Sequence, residues 1–163
     1  MLFSKYLNSF SFYILIIFFL FSLSVNSINS FEIINSISYA LLHFVLIYLC
    51  FYYYRTTLYL IYFFVGLGAD LILIDNIGPH LLTFMFLLLT LNKARKLIQN
   101  FDSQNIYFII LFIQIALFFI EMIFAYFLFN IYINYIFFLK MKIISILISY
   151  PAFALFSKLD KFN

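Results

Sequence analysis

At 163 residues the chain is long enough to bury a core, yet it is 67% hydrophobic and only 9% charged, with a mean hydropathy of +1.15. Ordinary soluble domains carry roughly a quarter charged residues as the polar shell that keeps a core in water, so most of this surface must face lipid. The formal charge of +3 is spread along the chain rather than gathered on one face, which leaves no electrostatic footprint for nucleic acid.

The first apolar run, Phe10–Val25, follows Lys5 and ends at the polar stretch Asn26–Asn29. It reads as a first span. A signal peptide is the alternative, with Lys5 as its charged start and Ser22-Leu23-Ser24 as a small-x-small site. The uncleaved span is the better reading because the remainder is itself a membrane protein. Glu32 falls in the following loop, and Ile37–Tyr54 forms a second span that closes in an aromatic cluster at interface depth. After the tight connection Arg55-Thr56-Thr57, span three runs from Leu58 to Ile74. Asp75-Asn76-Ile77-Gly78-Pro79 then has the residues that stop one helix and start another.

Span four begins near Pro79 and is apolar only to Leu91, short of the roughly 20 residues a bilayer requires. It is expected to continue through Lys93-Ala94-Arg95-Lys96, whose charges reach the headgroups by snorkelling. Span five covers Ile106–Phe129 and is followed by the Tyr- and Asn-bearing stretch Asn130–Tyr135. Span six covers Phe138–Phe156, with Lys140 and Lys142 near its start. Pro151 lies inside it and is expected to kink or break it.

The chain therefore reads as one polytopic domain, residues 1–163, of about six transmembrane helices. Six spans with both termini in the cytoplasm put Lys5, Arg55, Lys93, Arg95, Lys96, Lys158 and Lys161 inside and leave Lys140 and Lys142 outside, as the positive-inside rule favours. No soluble domain is expected before or after the spans, so function must lie in the bilayer or in partners.

Ionisable groups within spans are the natural site candidates, because each costs a few kcal/mol to place near the midplane. Asp70 lies one helical turn after Gly66 on a face of small residues that also includes Gly68, where a neighbouring helix can approach closely. His80 and Thr83, just past the Gly78-Pro79 turn, are its nearest expected hydrogen-bond partners. Asp70 reads either as a proton or ligand site or as a clamp that satisfies backbone donors at the turn, with the clamp preferred. Glu121 shares a face with Gln114, seven residues earlier, and this polar stripe either lines a small cavity or marks a helix contact. The contact is preferred.

No metal or other cofactor is expected, since His43 and Cys50 on span two are not matched by a convergent ligand set and Cys50 has no second cysteine to pair with. No catalytic set is expected either. Asp70 and Asp75 invite comparison with intramembrane aspartyl peptidases, but five residues apart on one helix they point in different directions, and a shared-proton dyad needs them within a few ångströms.

The run Gly66-Leu67-Gly68-Ala69-Asp70-Leu71-Ile72, followed by Gly78-Pro79-His80-Leu81-Leu82, resembles the glycine-rich, aspartate-bearing helix and G-x-H/R-x-L turn of the MreD family. Tyr54-Arg55, the basic Lys93–Lys96 segment, the acidic residue in span five and the ending Tyr150–Leu159 add to the likeness, which covers nearly the whole chain. Pro79 stands where that family usually has an apolar residue. The resemblance implies a fold similar to the six-helix substrate-binding subunits of energy-coupling vitamin transporters. It also implies a non-enzymatic scaffold of the bacterial inner membrane that binds the bitopic protein MreC. That scaffold helps couple the MreB filament to a peptidoglycan synthase, RodA with a class B penicillin-binding protein. On this view Gly66, Gly68, Asp70, Gly78, His80, Gln114, Glu121 and Pro151 serve helix packing or partner contact, with membrane lipids around them. A vitamin-transporter subunit is the competing function.

Overall fold

Hydrocarbon offers no partner to a backbone N–H or C=O, so apolar segments of this length bond within themselves as helices. The computed structural model describes residues 2–25, 32–73, 77–98, 102–130 and 135–162. These form α1 (Leu2–Val25), α2 (Glu32–Tyr52), α3 (Thr57–Leu73), α4 (Pro79–Ile98), α5 (Ser103–Phe129) and α6 (Tyr135–Phe162). No strand occurs among the described residues. Three segments are long and apolar enough to cross a membrane: Ile33–Tyr52, Gln104–Phe129 and Leu139–Leu159. Phe10–Ser24 and Thr57–Ile72 are shorter apolar helices. The chain is thus an all-helical membrane protein.

Several helices extend past the apolar runs. Glu32, expected in a loop, is the first residue of α2. Helix α4 continues through Lys93 to Ile98. Pro151 does not end α6, which runs on to Phe162; one missing backbone donor is tolerated inside a membrane helix. The polar stretch 26–29, Asp75 and Asn76 of the turn, and residues 131–134 lie outside the described residues, as do the side chains of Lys5, Glu32, Arg95, Lys96 and Lys161.

Helix α2 occupies the centre, packed by α1, α4, α5 and α6. Every residue from Leu42 to Phe51 is buried, which explains why this helix shows no polar side over that length. At its C-terminal end an aromatic knot ties three helices together. Tyr13 of α1 lies 5.8 Å from Tyr48, 5.2 Å from Tyr53 and 5.4 Å from Phe156 of α6, ring centre to ring centre. Phe156 in turn stacks on Phe44 at 5.8 Å. Such pairs contribute about 0.5–1.5 kcal/mol each beyond burial alone.

Helices α3 and α4 pack backbone to backbone. A Cβ placed on Gly66 would come within 2.7 Å of Leu81 Cα, a contact that no side-chain rotation relieves. On Gly68 the same atom would meet Phe21 Cζ at 2.8 Å, the far end of a ring that can turn aside. At the other end of the bundle Asn130, with φ of 54°, stops α5 in the left-handed conformation, and its N–H bonds back to the carbonyls of Ala125 and Tyr126. Asparagine is one of the few residues that adopts this conformation readily.

Gly66→Ala is expected to destabilise the protein by about 1–3 kcal/mol through overpacking, and Gly68→Ala by clearly less. Unfolding of the purified protein in mixed detergent micelles, followed by loss of helical signal, checks the order of the two.

Candidate functional site

Asp70 is completely buried near the C-terminal end of α3, and its carboxylate faces the start of α4. A helix begins with backbone N–H groups that have no intrahelical acceptor. Here Gly78 N–H and Leu81 N–H donate to Oδ2 at 2.8 and 3.0 Å, while His80 N–H donates to Oδ1 at 2.8 Å. Pro79 has no N–H to satisfy, which suits it to the first helical position. Leu82 N–H closes the first regular turn on the Gly78 carbonyl at 2.9 Å. One side chain from the preceding helix therefore caps the whole first turn. The His80 ring adds a fourth bond, with Nδ1 2.8 Å from Oδ1, and because a carboxylate oxygen accepts, Nδ1 is the donor.

This accounts for Gly78 and Pro79 as well as Asp70. A Cβ on Gly78 would lie 2.8 Å from Leu128 Cδ1, so the small residue lets the turn seat against α5. Thr83, an expected partner of Asp70, instead donates to the Pro79 carbonyl at 2.7 Å, since a threonine within a helix readily bonds the carbonyl four residues back.

The second carboxylate belongs to α5. Glu121 accepts from the Tyr39 hydroxyl at 2.9 Å and lies 2.7 Å from His43 Nε2, both on α2. Seven residues earlier the Gln114 amide donates to the Ala40 carbonyl at 2.8 Å. The polar stripe of α5 is thus turned onto α2. Gln114 Oε1 and Ser145 Oγ of α6 are buried without a hydrogen-bond partner among the described residues.

The two carboxylates meet through aromatic rings. Tyr39 stands edge-on to His43 at 4.4 Å and to His80 at 6.0 Å, and Phe84 and Phe118 pack on His43 at 5.3 and 4.8 Å. Asp70, His80, Tyr39, His43 and Glu121 consequently form one buried cluster that joins α2, α3, α4 and α5.

Gly66, Gly68, Asp70, Gly78, His80, Gln114 and Glu121 all make their contacts within the chain. Pro151 is exposed on α6 and lies outside the cluster. Nothing in the sequence alone assigns Tyr39 and His43 to Glu121. The available signal was their spacing of four residues, which puts both on one face of α2, together with the need of Glu121 for a donor inside a membrane. Cys50, one of the residues weighed as a metal ligand with His43, lies 3.0 Å from the Tyr62 hydroxyl, which also bonds the Leu46 carbonyl. Among the described residues no three His, Cys, Asp or Glu side chains gather as metal ligands.

Comparison with family models, with curated proteins and with solved structures finds no match. Fold and cluster together define an all-helical membrane protein whose buried carboxylates are bound by helix termini and by side chains of neighbouring helices.

Asp70→Asn puts an amide N–H against backbone donors and is expected to cost about 1–3 kcal/mol for the groups left unsatisfied. Amide hydrogen exchange at Gly78, His80 and Leu81 should quicken in that variant, whereas Thr83→Val should leave those three amides as slow as in the native chain.

Proposed function

We propose that this chain is a non-enzymatic scaffold of the bacterial cell-elongation machinery, of the MreD kind, acting in the cytoplasmic membrane. The observation that carries the reading is the use made of the resembling motif. The aspartate of Gly66–Ile72 bonds four donors of Gly78–Leu81, and Gly66 lets the two helices touch. Polar groups used in this way hold a shape, which is what a scaffold needs.

On this reading the six helices all cross the membrane with both termini in the cytoplasm, in an arrangement like that of the vitamin-transporter subunits. Lys93 and its basic neighbours lie on the cytoplasmic side. The polar cluster stiffens the bundle, and its outward apolar surface receives the single transmembrane helix of an MreC-like bitopic protein. Leu60 and Phe64 of α3, Phe112 of α5 and Leu147 of α6 are exposed and sample that surface. Through this partner the scaffold is coupled to the MreB filament and to the synthase pair, RodA with a class B penicillin-binding protein.

Depleting the protein from a rod-shaped cell that produces it is expected to turn rods into spheres within a few divisions. Photo-crosslinkers at positions 60, 64, 112 and 147 should capture a bitopic protein from one side of the bundle and not from all. Cells that keep their shape, or a purified protein that carries a tightly bound vitamin, would contradict the scaffold reading.

A further inference from the structure

Helices α5 and α6 run antiparallel, and two contacts fix their register. The Tyr107 hydroxyl lies 3.3 Å from Ser149 Oγ, and further along α5 Lys142 Nζ lies over the Phe119 ring at 3.6 Å. Gln114 sits between these contacts on α5, as Ser145 does on α6. At about 1.5 Å of rise per residue, counting from the first contact puts Ser145 about 4.5 Å short of the level of Gln114, and counting from the second puts it about 3 Å beyond. The two residues are therefore level to within one helical turn. They also lie on the facing sides: Gln114 is seven residues from Tyr107 and Ser145 four from Ser149, spacings that return to the same helix face.

Each presents an oxygen with no hydrogen-bond partner among the described residues, and each residue is 1% exposed. The direction of the Gln114 amide is set by α2. The Ala40 carbonyl can only accept, so the amide nitrogen faces it at 2.8 Å, and Oε1 points away from that carbonyl and needs a donor. Ser145 departs from the habit of the other helical serines. Ser24, Ser149 and Ser157 donate to the carbonyl three residues back at 2.9, 3.0 and 3.0 Å, whereas the Ser145 hydroxyl makes no such bond. Both oxygens lie in segments apolar enough to cross a membrane, where an unsatisfied polar atom is costly.

We propose that Gln114 Oε1 and Ser145 Oγ form a binding site for one internal water molecule that bridges α5 to α6. Water suits the chemistry, since it donates to the acceptor-only amide oxygen and either donates to or accepts from the hydroxyl. A buried water typically makes roughly two to four hydrogen bonds, and these two oxygens supply the first of them. The size suits it as well: Ile110, Leu117 and Met141, on the neighbouring turns, are buried apolar side chains, which closes the site to a larger polar molecule. Because the same amide holds the Ala40 carbonyl, Gln114 then ties α2, α5 and α6 at one level. This inference is independent of the scaffold reading.

A high-resolution crystal structure of the full native chain, grown from a lipid mesophase, is expected to show solvent density within about 3.2 Å of both oxygens. Unfolding in mixed micelles gives a second readout. Ser145→Ala should lower the folding equilibrium constant of the native chain about threefold to tenfold, the range of one lost hydrogen bond. In a Gln114→Leu background the same change should alter it by less than about twofold, since the bridge is already gone. The crystal structure needs no variant, so it decides even where Gln114→Leu fails to fold. A Ser145 hydroxyl bonded directly to Gln114 or to its own helix, or an equal effect of Ser145→Ala in both backgrounds, would overturn the proposal.

Discussion

Inside hydrocarbon a polar group must find its partner within the protein, and the rest of this structure follows from that requirement. It makes each apolar segment a helix. It also dictates what the few polar side chains do. Asp70 supplies the acceptors that the first turn of α4 lacks, and Glu121 accepts from two side chains of α2. Because a carboxylate left alone there costs several kcal/mol, each of these bonds fixes the placement of one helix against another more sharply than apolar packing can.

The apolar contacts fill in around these fixed points. Helix α2 is central because its long apolar stretch, Leu42 to Phe51, is buried from every side. At one end the rings of Tyr13, Tyr48, Tyr53 and Phe156 close the bundle, and further along α2 the polar cluster ties it to α4 and α5. Gly66 and Gly78 serve as clearances for a neighbouring helix or its side chains. The outward residues, Phe64, Phe112 and Leu147 among them, are left to lipid and to any partner helix.

Much of the fold was legible in the sequence because hydrophobic runs and charge punctuate it. The start of α4 at Pro79 is an example: Gly-Pro after a polar turn is a helix start, and Asp70 one turn after Gly66 marked the face that meets it. The helix ends were less legible. Glu32 and Phe156 look like boundaries by hydropathy, but a helix continues as long as its hydrogen bonds do, and headgroups tolerate charge. The pairing of Glu121 with His43 and Tyr39 depends on which of the other helices α5 lies against, and spacing along the chain carries no information about that. Thr83 shows the opposite failure, where proximity in sequence suggested a partner and the side chain bonded its own helix.

The central claim is that buried hydrogen bonds between helices, above all that of His43 with Glu121, hold the bundle. A double-mutant cycle on unfolding in mixed micelles, built from His43→Leu, Glu121→Leu and their combination, measures this most directly. Side chains in one buried network are coupled by about 0.5–3 kcal/mol, and the account predicts a favourable coupling in that range. Additive losses, with no coupling between the two positions, would contradict it.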